Sequence, residues 1–248
     1  MSKHLSTLLA LFLAGTALSA QTNKELRPYR TLFKDISPAA IERYGAEAKK
    51  ALELDRKHND PKSGFKMSKA EYDRFLDNNM RYLEYLDFHN IGELGCSWYC
   101  GGELANIQSS SHLKAAGCIK YSADKAFDEN LATAWVEGAE GIGQGESLSL
   151  RINSGTIHTI SIYNGYQKDI NTFRNNARVK RLALDINGKP YAVLALDDQA
   201  GVQLFRIDEV SGSHDKPLTL SFRILEVYPG AKYSDTAISD IVFDGPHH

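Results

Sequence analysis

The chain has 248 residues, with 29 basic and 31 acidic side chains, and its formal net charge at pH 7 is −2. A nucleic-acid-binding domain normally has an excess of basic residues, so this balance argues against nucleic acid as a partner. The composition, 42% hydrophobic and 24% charged, is typical of a globular protein that buries its core in one domain, or in one domain with an appendage.

The first 20 residues have the layout of a secretory signal peptide. Lys3 supplies the positive start, an apolar run extends from Leu5 to Leu18, and the small residues Ser19 and Ala20 follow. The run is shorter than the ~20 residues that a membrane-spanning helix needs. We therefore predict cleavage near Ala20 and an exported protein, periplasmic or secreted, with no integral membrane segment after cleavage.

Residues 21–93 have a helical pattern. Ser37 and Pro38 predict a helix start, with serine as the cap and proline at the first helical position. A second helix is predicted from Ser68 and Glu71, which have the spacing of a capping box. Apolar residues then recur at intervals of three and four, at Tyr72, Phe75, Leu76, Met80, Leu83 and Leu86. We expect a helical hairpin whose apolar stripe packs on the following domain, because two helices alone bury little.

The three cysteines, Cys96, Cys100 and Cys118, can pair if the protein is exported to an oxidising compartment. A disulfide between Cys96 and Cys100 would close a tight aromatic loop and leave Cys118 as a free thiol. The alternative pairs Cys118 with one of the other two. A zinc site would need a fourth ligand, and no histidine pair stands nearby at metal-ligand spacing.

From about Ile91 the hydrophobic period changes to two, which predicts half-buried strands. Apolar residues alternate with polar ones at Leu148, Leu150, Ile152, Ile160, Ile162, Leu182, Leu184, Ile186, Leu218, Leu220, Phe222 and Ile224. Asn187 and Gly188 predict a hairpin turn. Further reversals are predicted at 153–155, 211–213 and 229–230. Short strands with such punctuation predict an all-β sandwich or barrel.

Several short segments after residue 108 form an ordered series: Ser109-Ser110-Ser111, Tyr121-Ser122-Ala123, Ala126-Phe127-Asp128-Glu129-Asn130, Thr133-Ala134-Trp135 and Ile238-Ser239-Asp240-Ile241. Together they resemble the coagulation-factor type C, or discoidin, fold. That fold is a galactose-binding-like jelly roll, which many carbohydrate-binding modules use. The resemblance implies a mainly β chain, with a jelly-roll sandwich preceded by the helical hairpin.

A second set of segments is more specific: GCSWYCGG (95–102), TAWVEG (133–138), NGYQK (164–168), NNARVK (175–180) and VYPGAKYSDTAISDI (227–241). They resemble one bacterial branch of the fold, named for a secreted NAD glycohydrolase in which it is the translocation and glycan-binding domain and not the catalytic part. The resemblance extends over about residues 94–244. We therefore expect a discoidin-like domain over 94–246, after a signal peptide at 1–20 and a helical segment at 21–93.

Oxygen-bearing residues suggest a calcium site. Asp128, Asn130 and Thr133 lie within six residues, and Asp240 would come beside them if the last strand closes the sandwich. Such donors suit Ca²⁺, and the resemblance implies a structural calcium at the matching place. The alternative is a hydrogen-bonded turn in which Asp128 caps backbone N–H groups. Glu129, where many relatives have glycine, and Asp240, where many have glutamate, depart from the wider pattern.

The segment from NGYQK to NNARVK combines aromatic and polar side chains. Sugars pack C–H faces on aromatic rings, while their hydroxyls need polar partners. We predict ligand contact by seven residues: Asn164, Tyr166, Lys168, Arg174, Asn175, Asn176 and Arg178. The alternative for this segment is a plain rim connection. Trp98 and Trp135 are instead expected to pack in the core or at the rim.

The glycine-rich stretch 138–145 superficially resembles a phosphate-binding loop. A dinucleotide fingerprint needs a helix after the loop, whereas a strand pattern follows here, so we predict a rim loop. Glu137, Glu140 and Glu146 flank it, and a glycosidase needs two carboxylates at a set separation. No nucleophile-elbow sequence is present. We expect these glutamates to be solvated loop charges and the protein not to be an enzyme.

These observations predict an exported, non-catalytic binding protein whose discoidin-like domain recognises a carbohydrate or related surface ligand. A structural calcium is a possible cofactor. Two alternatives stay open. One is a protein-protein docking module of the cell envelope, and the other is a hydrolase acting on glycosides or on NAD.

Overall fold

The computed structural model describes residues 24–32, 38–76, 98 and 101–245 of the chain. The predicted signal peptide, the predicted Cys96–Cys100 disulfide and the later part of the second helix lie outside these residues. Cys118 is exposed. No helix in the described ranges has both the length and the apolar character needed to cross a bilayer. The domain division at residues 20 and 93 stays a prediction.

The elements begin with two short strands and two helices: β1 (Glu25–Leu26), β2 (Arg30–Leu32), α1 (Pro38–Asn59) and the described part of α2 (69–76). The later elements are almost all strands: β3 (Glu103–Ser109), a 3₁₀ helix (Ala123–Ala126), β4 (Trp135–Val136), β5 (Ser147–Asn164), α3 (Ile170–Asn175), β6 (Ala177–Ile186), β7 (Lys189–Ala195), β8 (Val202–Gly212), β9 (Leu218–Tyr228) and β10 (Thr236–Asp244). The chain is therefore mainly β.

The two helices form the predicted hairpin. α1 begins at Pro38, as expected. At the start of α2 the backbone N–H of Ser68 donates to the Glu71 carboxylate at 2.8 Å, and the N–H of Glu71 donates to the Ser68 hydroxyl at 3.3 Å. This is the predicted capping box. The ring of Tyr72 stacks on His58 of α1 with centroids 4.1 Å apart, so the two helices are in contact.

The segment 24–32, which the helical pattern was expected to include, forms strands instead. β1 pairs in parallel with β7, and β2 pairs antiparallel with β8. Pro28 lies between them, and a proline disfavours a continuous helix because it lacks an N–H and clashes with the preceding turn. The edge strands β7 and β8 offer unpaired backbone groups that an extended segment can satisfy.

β5 belongs to both layers of the sandwich. Its first part, 147–152, pairs with β9 and β3, and its later part, 155–163, pairs with β8 and β10. One layer therefore has the order β3-β5-β9-β6-β7-β1, and the other has the order β4-β10-β5-β8-β2. The pairing is antiparallel except at β1–β7 and at the start of β10 beside β6. This is the predicted β-sandwich.

The reversal predicted at 153–155 is wrong, because β5 bends there and continues. Gly155 has φ +113°, which side-chain-bearing residues rarely adopt, and a Cβ on it would lie 2.7 Å from the indole of Trp98. That indole donates from Nε1 to the carbonyl of Thr156 at 2.8 Å. The glycine thus makes room for a packed tryptophan at the point where the strand changes layer.

The core lies between the layers, and the predicted alternation supplies it. Buried side chains come from the first layer at Leu148, Leu150, Ile152, Leu182, Leu184, Leu220, Phe222 and Ile224. They meet buried side chains from the second layer at Ile160, Ile162, Phe205, Ile207, Ile241 and Phe243. Because successive side chains of a strand point to opposite faces, a period of two places one apolar row inside each layer.

The Gly188→Ala variant is expected to lower the free energy of unfolding by about 1 kcal/mol. Asn187 and Gly188 form the predicted turn between β6 and β7, with φ of 52° and 72°. No atom lies within 4 Å of a Cβ built on Gly188, so backbone strain is the only cost. Urea unfolding measures the change, with Lys189→Ala, an exposed strand position of the same hairpin, as control. Equal stability of the two variants would contradict the positive φ of Gly188 in this turn.

Candidate ligand-binding site

Asn164, at the end of β5, is fully buried. Its amide Nδ2 donates to the carbonyl of Val179 at 2.7 Å, and its Oδ1 accepts from the N–H of Val179 at 2.9 Å. The amide therefore replaces a backbone pair between β5 and β6. This geometry gives Asn164 a structural role in place of the predicted ligand contact.

Arg178 is also committed to the fold. Its Nε and Nη2 donate to the two carboxylate oxygens of Asp198 at 2.7 and 3.0 Å, and its Nη1 donates to the carbonyl of Asn176 at 2.8 Å. The guanidinium lies over the ring of Phe173, 5.2 Å from the centroid. Since all three guanidinium nitrogens donate within the protein and the residue is buried, Arg178 fastens α3 to β6, and its ligand contact stays a prediction.

Of the three residues before β6, Asn175 and Asn176 make backbone-supporting hydrogen bonds and Arg174 is exposed. The amide of Asn176 donates to the carbonyl of Thr172 at 2.9 Å and closes the end of α3. The carbonyl of Asn175 accepts from the N–H of Tyr233 at 2.8 Å, which holds the β9–β10 loop. Arg174 is exposed. Ligand contact by these three residues stays a prediction.

Tyr166 and Lys168 lie in a different place, where they line a pocket of ≈ 300 Å³. The rest of the lining comes from the loop after β3, the 3₁₀ helix and the loop before β4: Cys118, Ile119, Lys120, Lys125, Ala132 and Thr133. The hydroxyl of Tyr166 donates to the carbonyl of Ala132 at 3.1 Å, so it ties two of the loops together. Burial raises the pKa of Tyr166.

Two of the lining residues, Lys125 and Thr133, belong to a polar cluster around Asp128, which does not itself line the pocket. The Thr133 hydroxyl lies 2.8 Å from Oδ1 of Asp128 and 2.8 Å from the carbonyl of Asn130. The ammonium of Lys125 donates to Oδ2 of Asp128 at 3.0 Å, and this contact raises the pKa of Lys125. Asn130 accepts from the N–H of Ala132 at 3.0 Å. The hydrogen-bonded turn is thus present, although Asn130 and not Asp128 caps the backbone.

Asp240, on β10, is fully buried. Burial raises its pKa well above the usual value, the carboxylates of Asp128 and Glu129 raise it further, and the N–H of Ile241 partly offsets them. Its Oδ1 accepts from that N–H at 2.8 Å, whereas its Oδ2 has no hydrogen-bond partner among the described residues. The last strand therefore does return a carboxylate to the Asp128 loop.

The cluster fits a hard cation in part. Within the described ranges, no three side chains of His, Cys, Asp or Glu are arranged to hold a metal. A Ca²⁺ ion would need hydroxyl and carbonyl oxygens beside the carboxylates of Asp128 and Asp240, and calcium accepts both kinds of ligand. The unpaired Oδ2 of Asp240 suits such an ion. Lys125 would compete with it for Asp128.

Glu137 was predicted to be a solvated loop charge. This prediction is wrong, because the Glu137 side chain is fully buried. Its carboxylate accepts from the N–H groups of Ala139 at 2.8 Å and Thr236 at 3.1 Å. Burial raises its pKa. A Cβ on Gly143 would lie 2.5 Å from the Glu137 side chain, so the glycine loop closes around the carboxylate. Glu137 orders this loop.

The tryptophans pack as expected. Trp135 is buried in the core, and its Nε1 donates to the carbonyl of Ser111 at 3.0 Å. Trp98 packs on Phe243, with ring centroids 5.9 Å apart. Neither indole lines the pocket.

The contribution of the loop after β3 was not predicted from the sequence. Lys120 and Lys125 line the pocket beside Lys168, although about 45 residues of chain separate the two groups. No local motif marks this convergence. The segment 121–130, which resembles a known fold, was the available signal for this loop. It was interpreted as part of a calcium site and not as part of a ligand site.

Comparison with protein families identifies the domain. Residues 98–244 match the family model described as the NAD glycohydrolase translocation F5/8 type C domain. No curated protein matches the chain.

The solved structures to which the chain is similar are distant in sequence. The CBM32-1, CBM32-2 and M60 catalytic domains of Clostridium perfringens ZmpB share 13% identity at a TM-score of 0.45, over 80% of this chain and 23% of that one. CpGH89CBM32-5 from the same organism, in complex with GalNAc-β-1,3-galactose, shares 15% identity at 0.41, over 57% and 95%. The C-terminal domain of a Bacteroides fragilis chitobiase shares 11% identity at 0.40, over 58% and 93%. The chain thus spans under a quarter of the ZmpB chain.

Proposed function

Because this chain belongs to the NAD glycohydrolase translocation F5/8 type C domain family, we propose that it is an exported, non-catalytic protein that binds a carbohydrate through its sandwich domain. The observation that supports this most directly is the pocket built by three loops at one end of the sandwich. Loops held by a rigid scaffold are where binding residues concentrate. The signal-peptide pattern of residues 1–20 supports export.

The pocket has the size and the surfaces that a sugar unit needs. Its volume of ≈ 300 Å³ lies at the lower end of the range of small-molecule sites. Ile119, which is 44% exposed, and the largely buried ring of Tyr166 offer apolar surface, and lysine side chains offer hydrogen-bond donors. Its polypeptide walls are tied together by the Tyr166 and Thr133 hydrogen bonds, so little ordering is needed on binding.

The burial of Glu137 supports a non-catalytic role. The notable acid of the glycine loop accepts two backbone hydrogen bonds and is fully buried. A general acid must come within hydrogen-bond reach of its substrate. Glu137 serves the loop instead. We expect neither the native protein nor the Glu137→Gln variant to turn over NAD or glycosides, and we expect the substitution to change stability alone.

The proposal includes a structural Ca²⁺ ion beside the pocket. Asp240 and Asp128 would supply carboxylate oxygens, and Asn130 and Thr133 would supply carbonyl and hydroxyl oxygens. When bound, the ion would neutralise the buried carboxylate of Asp240. Its role is structural, because it would fix the loops that form one wall of the pocket.

Glycan binding is expected to depend on the pocket. On an array that includes GalNAc-containing glycans, the protein should be retained by at least one glycan. The Ala132→Trp variant should weaken retention by roughly tenfold or more, because the indole fills the pocket and blocks the ligand contacts. Ala132 is exposed, and only its backbone takes part in the Asn130 and Tyr166 hydrogen bonds, so the fold is preserved.

The matched control is Ala115→Trp, an exposed position that does not line the pocket. It should bind as the native protein does. Absence of retention on any glycan would contradict the proposal. If the protein instead captures an envelope protein and free sugars do not compete, the docking alternative replaces it.

A further inference from the structure

The pocket has a charge that the whole chain lacks. The chain has two more acidic than basic residues, yet three of the eight residues that line the pocket are lysines: Lys120, Lys125 and Lys168. None of the lining residues has a carboxylate. A concave site lined by one sign of charge concentrates the opposite sign from solution.

Only one of the three lysines is neutralised. Lys125 pairs with Asp128 at 3.0 Å and with Asp124 at 3.3 Å. Lys120 and Lys168 are exposed, and in the part of the chain that the structure describes neither makes an ion pair or a side-chain hydrogen bond. Two uncompensated ammonium groups therefore face one small cavity from separate loops.

The nearest acid in the chain to Lys168 is already used. Asp169 caps α3, and its Oδ1 accepts from the N–H groups of Asn171 and Thr172 at 2.8 Å each. The carboxylate is thus directed to the helix, which it stabilises as an N-cap. The charge of Lys168 stays available to a ligand in the pocket.

The hydrogen-bonding groups of the pocket favour an acceptor-rich ligand. Lysine ammonium groups only donate. The Tyr166 hydroxyl proton is used by the carbonyl of Ala132, and the Thr133 hydroxyl lies against Asp128 and Asn130. A neutral sugar presents many O–H donors, and the only side-chain acceptors in the lining are the hydroxyl oxygens of Tyr166 and Thr133, with no carboxylate or amide beside them. A carboxylate or a sulfate needs donors alone.

We propose that this pocket selects glycans that have an anionic group, a carboxylate or a sulfate, and that Lys120 and Lys168 bind that group. The inference rests on the proposed glycan-binding function and specifies its ligand class. Lys125, whose charge is neutralised by Asp128 and Asp124, holds the lining of the pocket in place. Ile119 and Tyr166 line the remaining surface, where the carbon skeleton of the sugar would lie.

The test compares lactose, 3′-sialyllactose and sulfated lactose as ligands in titrations with the full chain. Binding of one or both acidic ligands should exceed binding of lactose, and the double variant Lys120→Gln/Lys168→Gln should weaken it by roughly tenfold or more through the loss of charge-assisted hydrogen bonds. Added salt should weaken it too, because exposed charges are screened. A sialyl-only or sulfate-only result identifies which anion the site accepts.

The control is Lys189→Gln/Lys216→Gln, which removes the same charge from exposed positions at the β6–β7 and β8–β9 turns, away from the pocket lining. It should leave affinity unchanged, and thermal unfolding verifies the fold of both variants. Binding of lactose at equal strength, unaffected by Lys120→Gln/Lys168→Gln, would overturn the inference and leave glycan binding intact. Failure to bind any glycan in this set or on the array would overturn both.

Discussion

In buffer with a chelator, the free energy of unfolding is expected to fall, relative to that of an Asp240→Asn variant, as the pH rises above about 4. The pKa of Asp240 is raised in the folded protein by burial and by the neighbouring carboxylates of Asp128 and Glu129. The folded state therefore holds this proton more tightly than the unfolded state does. The contribution is fully present below the unfolded pKa and is lost as the pH rises towards the folded one, by up to about 1.4 kcal/mol per pH unit.

Urea unfolding at a series of pH values measures this effect, and the Asp240→Asn curve removes the contributions of all other groups. Asparagine keeps an oxygen for the N–H of Ile241 and has no charge to desolvate. Parallel curves of unfolding free energy against pH for the two proteins would show that the carboxylate of Asp240 ionises freely. That result would contradict its burial in the folded protein.

Addition of Ca²⁺ separates the metal proposal from the pH prediction. If the ion binds beside Asp240, it should restore stability to the native protein at neutral pH and leave the Asp240→Asn variant nearly unchanged, since ligand binding to the folded state alone stabilises it. A native protein whose stability is the same with calcium and with chelator would contradict the metal site and leave the pH dependence standing.

The Arg178→Ala variant is expected to lose about 2–3 kcal/mol of unfolding free energy, which corresponds to roughly 5–10 °C in Tm. The variant removes a two-pronged ion pair with Asp198 and the hydrogen bond to the carbonyl of Asn176. The estimate stays below that for a fully buried pair because the Asp198 side chain is 41% exposed. Thermal and urea unfolding measure the loss.

Arg174→Ala is the matched control, because it is an arginine of the same segment that is exposed at the end of α3. Its stability should stay within about 0.5 kcal/mol of the native value. If Arg178→Ala were as stable as Arg174→Ala but lost glycan binding, the direct ligand contact expected from the sequence would be correct and the structural role wrong.

The fold was largely predictable because its evidence is local. Alternation such as Leu148, Leu150 and Ile152 gave the strands, the turn at 187–188 gave a hairpin, and the pair Ser68 and Glu71 gave a helix start. Each pattern depends only on residues that are close together in the chain. Chain neighbours constrain backbone geometry directly, so such signals survive without knowledge of the rest of the molecule.

The structure differs from the sequence-based expectations where residues distant in the chain determine the local conformation. The segment 153–155 has turn chemistry, yet Trp98 packs against Gly155 and the strand continues through it. Residues 24–32 became strands because the edges of β7 and β8 were there to pair with. Neither partner is visible from the segment itself.

The candidate site shows the same division. Of the seven residues predicted to contact ligand, Tyr166 and Lys168 line the pocket. Asn164 instead hydrogen-bonds to the backbone of Val179, and Arg178 forms an ion pair with Asp198. Polar side chains in one segment have the same composition whether they face solvent or a buried backbone group. Burial and partners, which sequence does not provide, decide between the two.

By itself the sequence determined that the chain alternates into half-buried strands, that a helical segment precedes them, and that its motifs resemble discoidin domains. Only the tertiary structure decided that Lys120 and Lys168 share a cavity and that Asp240 is buried beside Asp128. The physical reason is that strand formation depends on the period of nearby side chains, whereas charge convergence and desolvation depend on which loops the folded sandwich brings to the same end.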